Sequence, residues 1–129
     1  MLYVKTKVKE STIEWVGLFA DEFIPKWTII WKFTPGFDLK YTQAEIEKLP
    51  QAAQEYIERY AWLSKKSGKI CFSIDNGKYF NHSNTPNTLS NYYENEEEVI
   101  TKAIKDIQPG EELTDDYSTF EEGFDENNI

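Results

Sequence analysis

The chain has 129 residues, of which 40% are hydrophobic, 16% aromatic and 29% charged. This length suits one domain spanning residues 1–129, and the aromatic content excludes a disordered chain because enough apolar surface can be buried. The formal net charge of −9 argues against direct contact with nucleic acid, whose phosphates an acidic surface repels. On charge alone, solubility explains the acidity better than attraction of a basic partner does.

The sequence has one cysteine, Cys71, and one histidine, His82. A disulfide within the chain and a zinc site of cysteine and histidine ligands are therefore excluded, and no metal is expected. Cys71 is interpreted as a small buried residue in a strand, although a catalytic pair with His82 stays open. No apolar run has the length of a membrane span, and the N-terminus lacks the pattern of a signal peptide. We therefore expect a cytoplasmic protein, or a nuclear one in a eukaryotic or viral source.

Two strands are predicted in the first third of the chain. Residues 3–9 alternate, with Val4, Thr6 and Val8 on one face, which is the pattern of a half-buried strand. One face of the second strand carries four apolar residues, Trp27, Ile29, Trp31 and Phe33. The turn residues at positions 34–36 then end this strand.

A helical insert is predicted over residues 38–68. Thr42 and Glu45 have the spacing of a capping box, in which each side chain bonds the backbone N–H of the other, so a short helix follows and ends near residues 49–50. Pro50 suits the first turn of a second helix over residues 51 to about 63. The side chains predicted to face the core from that helix are Ala53, Ile57, Tyr60 and Ala61.

The pattern returns to short strands after Gly68, and a turn at residues 106–110 leads into a strand at residues 113–117. The acidic run 94–98 predicts a solvated hairpin end, and the acidic tail 121–129 is expected to be mobile. Strands, a helical insert and then strands predict an α+β, mostly-β fold and not a βαβ repeat.

Two polar segments are candidates for a functional site. Residues 81–87 read Asn-His-Ser-Asn-Thr-Pro-Asn and follow a predicted strand at residues 78–80. Alone, this segment is either a structural loop or part of a site at a strand end. Residues 110–117 form a glycine turn and a short strand, and alone they would be an edge strand with a core tyrosine.

Taken together, four segments in this order resemble the SET domains of protein-lysine methyltransferases. They are residues 17–20 (Gly-Leu-Phe-Ala), 24–29 (Ile-Pro-Lys-Trp-Thr-Ile), 79–87 and 103–117. The resemblance covers residues 3 to about 120 and is least diagnostic in the insert. It implies the SET-domain fold of short curved sheets with a helical insert and a C-terminal pseudo-knot that includes residues 81–87. The flanking zinc-binding cysteines of many SET domains are missing, as in a minimal, stand-alone member.

The resemblance also implies S-adenosylmethionine-dependent methyl transfer to the side-chain amine of lysine in a basic protein substrate. Tyr117 is the implied catalytic residue, whose hydroxyl orients the amine. The implied cofactor-binding residues are Trp15, Val16, Gly17, Asn81, His82 and Phe120. Phe124 is an alternative to Phe120 as the ring that covers the adenine. Tyr79 and Asp115 are expected to line the substrate channel.

Three residues depart from the family pattern. Trp15 and Trp27 replace glycines, which predicts a reshaped loop at Trp15 and a different turn type at Trp27. Asp115 replaces a commonly aromatic residue that is associated with the number of methyl groups added. Product multiplicity therefore stays open, as does whether this carboxylate pairs with a lysine ammonium or points to water. The alternative to an active enzyme is a weak or inactive SET-fold module that binds a basic protein segment. A homodimer is plausible for so small a domain, and no membrane partner is expected.

Overall fold

The computed structural model describes residues 1–124, which form short strands and a few short helices. The strands are β1 Thr6–Glu10, β2 Val16–Ala20, β3 Ile29–Lys32, β4 Leu39–Tyr41, β5 Trp62–Leu63, β6 Ile70–Phe72, β7 Asn81–His82, β8 Thr88–Asn91, β9 Ile100–Ala103 and β10 Thr114–Asp115. The α-helices are α1 Gln43–Glu47 and α2 Gln51–Tyr60, and the 3-10 helices are Asn76–Tyr79 and Tyr117–Thr119. This architecture confirms the predicted α+β, mostly-β fold class. Within residues 1–124, no helix has the length and apolar character needed to cross a membrane.

The strands form four small sheets. β1 pairs with β2, β9 lies between β3 and β8, and β6 lies between β4 and β5, all in antiparallel pairs. The fourth sheet is different, because β7 and β10 are parallel. Parallel neighbours need a long connection, and here the chain from β7 to β10 runs through β8 and β9.

The core consists of two clusters, and β3 contributes to both because its two faces are buried. Ile30 belongs to the first cluster, whose members are Leu18, Ala20, Ile24, Ile30, Ala103, Ile107 and Leu113. Trp31 and Phe33 belong to the second, together with Cys71 and Val99. The interpretation of Cys71 as a buried strand residue is confirmed, since it lies in β6 with no exposed surface. Trp27 does not share the face predicted for it: it precedes β3 in a turn and is 64% exposed.

The first strand is shorter and more exposed than predicted. β1 begins at Thr6 and pairs with β2, and Val8 on this strand is exposed. Residues before β1 belong to another part of the fold, as the Tyr3 N–H donates to the Ile30 carbonyl over 2.8 Å. The segment 3–9, predicted as one strand, therefore pairs with two different parts of the chain: Tyr3 with Ile30, and the residues from Thr6 onward with β2.

The helical insert predicted over residues 38–68 is shorter at both ends, and residues 39–41 at its start form β4. The capping box is confirmed, because Thr42 Oγ1 accepts the Glu45 N–H at 3.2 Å and Glu45 Oε1 accepts the Thr42 N–H at 2.8 Å. Pro50 is the N-cap of α2, and Ile57 is its buried residue. The helix ends at Tyr60, because the next residues adopt extended backbone and pair with β6 as β5.

The acidic run 94–98 is not wholly a solvated hairpin end. Glu98 is 2% exposed, its Oε1 accepts the Ser64 hydroxyl at 2.5 Å, and its Oε2 lies 2.9 Å from Lys40 Nζ. The expectation of a mobile tail is wrong for its first residues, since the Glu122 N–H donates to the Leu63 carbonyl over 2.8 Å. Residues 125–129 of that tail lie outside the described residues.

Candidate active site

A cavity of about 910 Å³ collects the residues that the sequence assigned to a site. Every predicted site residue except Gly17 lines it: Trp15, Val16, Tyr79, Asn81, His82, Asp115, Tyr117 and Phe120. Its volume lies in the range of small-molecule sites, roughly 300–1,000 Å³. The same cavity includes Phe124, the alternative ring for the adenine.

The parallel pair of β7 and β10 brings the two polar motifs together. Thr114 lies opposite Asn81, and Asp115 lies opposite His82. Asn87 joins the segments: its Nδ2 donates to the Glu112 carbonyl at 2.8 Å, and its Oδ1 accepts the Thr114 N–H at 2.9 Å. An asparagine can do this because its amide carries both a donor and an acceptor. The predicted strand before Asn81 is wrong, since residues Asn76–Tyr79 form a 3-10 helix whose first turn is capped by Asp75.

Asn81 links three parts of the chain behind the cavity wall. Its Nδ2 lies 3.0 Å from the Val16 carbonyl and 2.8 Å from Glu112 Oε2. The other carboxylate oxygen of Glu112 accepts the Ser11 hydroxyl at 2.7 Å. The side-chain amide of Asn81 therefore links the segments around Val16 and Glu112. The predictions did not include Ser11 and Glu112; only the position of Glu112 inside the Gly-Glu-Glu motif could have suggested it.

Gly17 stands next to this network and has no room for a side chain. An added Cβ would lie 2.3 Å from Glu112 Oε2 and 3.0 Å from Asn81 Nδ2. Glycine is needed here for the close approach of a side chain to the backbone. Gly17 thus shapes the cavity wall from behind without lining the cavity.

His82 holds the start of the 3-10 helix that carries Tyr117. Its Nδ1 accepts the Tyr117 backbone N–H at 3.1 Å, so the ring proton belongs on Nε2, which donates to Asn84 Oδ1 at 3.1 Å. The imidazole also contacts the rings of Phe124 and Tyr117, with centroids 4.8 and 5.4 Å away. His82 therefore positions Tyr117 through its backbone.

Tyr117 lies in the cavity wall, and its hydroxyl hydrogen is already used in a hydrogen bond within the protein. The hydroxyl donates to the Phe80 carbonyl, and the ring packs against Phe120 with centroids 5.6 Å apart. Burial, followed by the nearby charges of Glu121 and Asp115, raises the pKa of Tyr117 above its ordinary value. The phenol is therefore neutral at physiological pH, and its oxygen can accept a further hydrogen bond.

Asp115 points into the protein and not to water. It is 2% exposed and lines the cavity; its Oδ1 accepts the Asp116 N–H at 2.8 Å and its Oδ2 accepts the Ser90 hydroxyl. Ser90 in turn lies 2.6 Å from the Thr101 hydroxyl. Burial raises the pKa of Asp115 to about 7. Ser90 and Thr101 were not predicted, because no motif marks these two residues of ordinary strands.

The two tryptophans that replace glycines have different surroundings. Trp15 is 70% exposed at the rim of the cavity, whereas Trp27 is 64% exposed and does not line it. The expectation of a different turn at Trp27 is wrong: its φ is +74°, the left-handed region that a glycine would adopt. The Thr28 N–H closes this turn on the Pro25 carbonyl at 3.1 Å.

Several solved structures have the same fold as this chain. A Plasmodium falciparum protein, PFL0690c, that carries the provisional name of a histone methyltransferase is 20% identical, with a TM-score of 0.63 over 90% of this chain and 95% of that one. A humanized mutant of the Chaetomium thermophilum Polycomb Repressive Complex 2 bound to an inhibitor is 24% identical, with a TM-score of 0.63 over 91% of this chain and 15% of that one. ctPRC2 in an autoinhibited conformation bound to S-adenosylmethionine is 24% identical, with a TM-score of 0.66 over 91% of this chain and 16% of that one.

The ctPRC2 chains are thus several times longer than this one, and at these identities the likeness concerns the fold. No curated protein matches the sequence. A comparison with protein families matches residues 16–118, most of the chain, to the family described as SET domain. The parallel pairing of β7 with β10 lies within that match. The chain belongs to the SET domain family, a family of methyltransferases.

Proposed function

We propose that this protein transfers a methyl group from S-adenosylmethionine to the side-chain amine of lysine in a protein substrate. The observation that carries the proposal is that Tyr117, Asn81 and His82 line the same cavity. Membership of the SET domain family and the S-adenosylmethionine bound to the structurally similar ctPRC2 support it.

The residues of the cavity fit this cofactor. Its volume of about 910 Å³ can hold a nucleoside with an amino-acid side chain and leave room for a lysine side chain. The rings of His82, Tyr117, Phe120 and Phe124 form an aromatic wall on which an adenine could stack. When bound, the cofactor supplies a methyl group activated by the positive charge of the sulfonium.

The protein's own contribution is positioning and exclusion of water. Because the Tyr117 hydroxyl hydrogen is donated to the Phe80 carbonyl, the phenolic oxygen is oriented and can accept an N–H of the incoming amine. His82 fixes the backbone of Tyr117, so the direction of this acceptor is set before substrate arrives. A neutral phenol does this without placing a charge beside the sulfonium. Well-oriented reactants can account for about 7–11 kcal/mol of a barrier.

A basic segment is the substrate that the charge of the protein favours. The net charge of −9 attracts cationic peptides over the Debye length, about 8 Å at physiological salt. The charged residues in the cavity wall are mainly acidic, with Glu14, Glu58, Asp115 and Glu121 beside Arg59 and Lys78. Cytoplasmic or nuclear lysine-rich proteins are the corresponding class of partner.

The test is a transfer assay with isotopically labelled S-adenosylmethionine and a proteome extract, followed by mass spectrometry of the labelled peptides. Methylated lysines are the expected result. A folded protein that labels no lysine would refute the proposed activity.

The weak or inactive binding module is the second candidate, and the exposed Trp15 at the cavity rim is the observation in its favour. Trp27 lies outside the cavity and gives no reason to expect weak cofactor binding. Calorimetry separates the two functions, because a module that has lost turnover together with its cofactor site would give no heat of binding with S-adenosylmethionine. Trp15→Gly should then restore binding.

A further inference from the structure

Asp115 is the buried ionisable group in the cavity that the mechanism above does not use. We propose that Asp115 recognises the ammonium form of the substrate lysine and takes its proton, so that the amine becomes nucleophilic at its site of reaction. This inference rests on the proposed function and assigns a second, proton-accepting role to the same cavity.

Asp115 lines the cavity and is almost completely shielded from bulk solvent. Asp115 lines the cavity together with Tyr117, and the two residues are separated by a single position in the chain. Its oxygens accept hydrogen bonds from the Asp116 N–H and the Ser90 hydroxyl, and the Ser90 backbone also stabilises the carboxylate. The carboxylate keeps a further lone pair, so an ammonium N–H can be accepted without breaking these bonds.

Within the described part of the chain, the negative charge of Asp115 has no cationic partner. Among residues 1–124, no salt bridge reaches it. The ionisable groups near it are Asp116 and Tyr117 on its own segment and His82 on the paired strand β7. From β8 it meets the Ser90 hydroxyl, which in turn is hydrogen-bonded to the Thr101 hydroxyl of β9. A buried carboxylate in such a setting is best complemented by a ligand cation, and an alkylammonium is the cation that the proposed substrate carries.

The step balances with the groups named. A proton passes from the lysine nitrogen to an Asp115 oxygen, which converts ammonium and carboxylate into amine and carboxylic acid. The freed lone pair then forms the new nitrogen–carbon bond as the carbon–sulfur bond breaks, and the electron pair of that bond stays on sulfur. The methylated nitrogen leaves as an ammonium, and Asp115 returns its proton to water before the next turnover. Burial keeps the pKa of Asp115 at about 7, which suits a base that must both accept and release a proton near neutral pH.

The activity test compares the pH profiles of kcat/KM for the wild type and Asp115→Asn, a neutral side chain of the same shape. The wild type should gain activity as the pH rises through about 7 and then level off. The variant should lose about 100-fold at neutral pH and recover towards the lysine pKa of about 10.4, where the free amine forms without a base. Ser90→Ala removes a hydrogen bond that stabilises the carboxylate, so the rising limb should move to higher pH. An Asp115→Asn variant with the wild-type profile would overturn the inference.

A binding experiment tests the recognition of an ammonium group by Asp115 without measuring turnover. In carbon-13 NMR of aspartate-labelled protein, the Asp115 signal is assigned by its loss in Asp115→Asn. Addition of n-butylammonium, the charged end of a lysine side chain, should lower the titration midpoint of that signal, and n-butanol should not. The same result is expected in Asp21→Asn, which removes one exposed carboxylate outside the cavity. No response to n-butylammonium would overturn the recognition of the ammonium. This outcome is independent of the methyl-transfer assay, whose failure would concern the proposed function alone.

Discussion

Tyr117→Phe removes one oxygen atom from the cavity and keeps the ring. The hydroxyl is the donor to the Phe80 carbonyl, whereas the packing of the ring against Phe120 and Phe124 does not involve the oxygen. The His82 bond to the Tyr117 backbone N–H also stays. The variant therefore isolates the chemical role of the hydroxyl from the structural role of the side chain.

The expected effects on stability and rate differ in size. The loss of one hydrogen bond should lower the free energy of unfolding by about 1 kcal/mol. The loss of a positioned polar group in an active site lowers kcat by about 100-fold or more, which corresponds to about 2.7 kcal/mol of transition-state stabilisation. Cofactor affinity should change little, because the residues implied in cofactor binding are untouched.

Tyr92→Phe is the matched control. The Tyr92 hydroxyl also donates to a backbone carbonyl, that of Phe120, and also accepts the Lys65 N–H, but Tyr92 does not line the cavity. It should lose similar or greater stability in urea titration and keep its kcat. Initial rates at saturating substrates, calorimetry with S-adenosylmethionine and urea unfolding complete the comparison. Equal rates for wild type and Tyr117→Phe would show that the hydroxyl takes no part in catalysis.

Three further predictions follow from buried contacts. Gly17→Ala should lower affinity for S-adenosylmethionine at least about tenfold in calorimetry and destabilise the fold by about 1–3 kcal/mol, because its Cβ would overlap Glu112. Glu98→Ala should cost about 3 kcal/mol in urea unfolding, since it removes the buried partner of Lys40. Asp115→Asn should gain stability relative to the wild type as the pH rises from about 4 to about 7. The pKa of Asp115 is raised from 3.8 to about 7 in the folded state. Protonation of Asp115 therefore stabilises the folded wild type fully below about pH 4, and this stabilisation is lost as the pH rises to about 7.

A control or a contrary outcome tests the proposed cause of each of these three effects. Glu112→Ala should cost less stability in the Gly17→Ala background than in the wild type if the overlap is the reason. Glu97→Ala removes an exposed partner of Lys40, 3.4 Å away, and should cost less than about 1 kcal/mol. A stability difference between Asp115→Asn and wild type that is the same at pH 4 and pH 8 would contradict the burial of an ionisable carboxylate.

Local features of the fold could be predicted because local sequence encodes them. The capping box of Thr42 and Glu45 needs only four consecutive residues, and the turn at Gly110 needs only a residue that accepts a positive φ. The order of the motifs around Asn81 and Tyr117 was enough to predict the family. Trp27 shows the limit of such local reasoning, because the surrounding contacts hold a tryptophan in a conformation that its own preference disfavours.

The sequence by itself determined the family, the fold class and some of the residues that line the cavity. Only the tertiary structure decided that Asp115 faces inward onto Ser90 and that Glu98 is buried against Lys40. The reason is physical: periodicity and caps act over a few residues, whereas the burial of a carboxylate depends on which distant segments cover it. Ser90 reaches Asp115 from 25 positions away, and no pattern within either strand contains that contact.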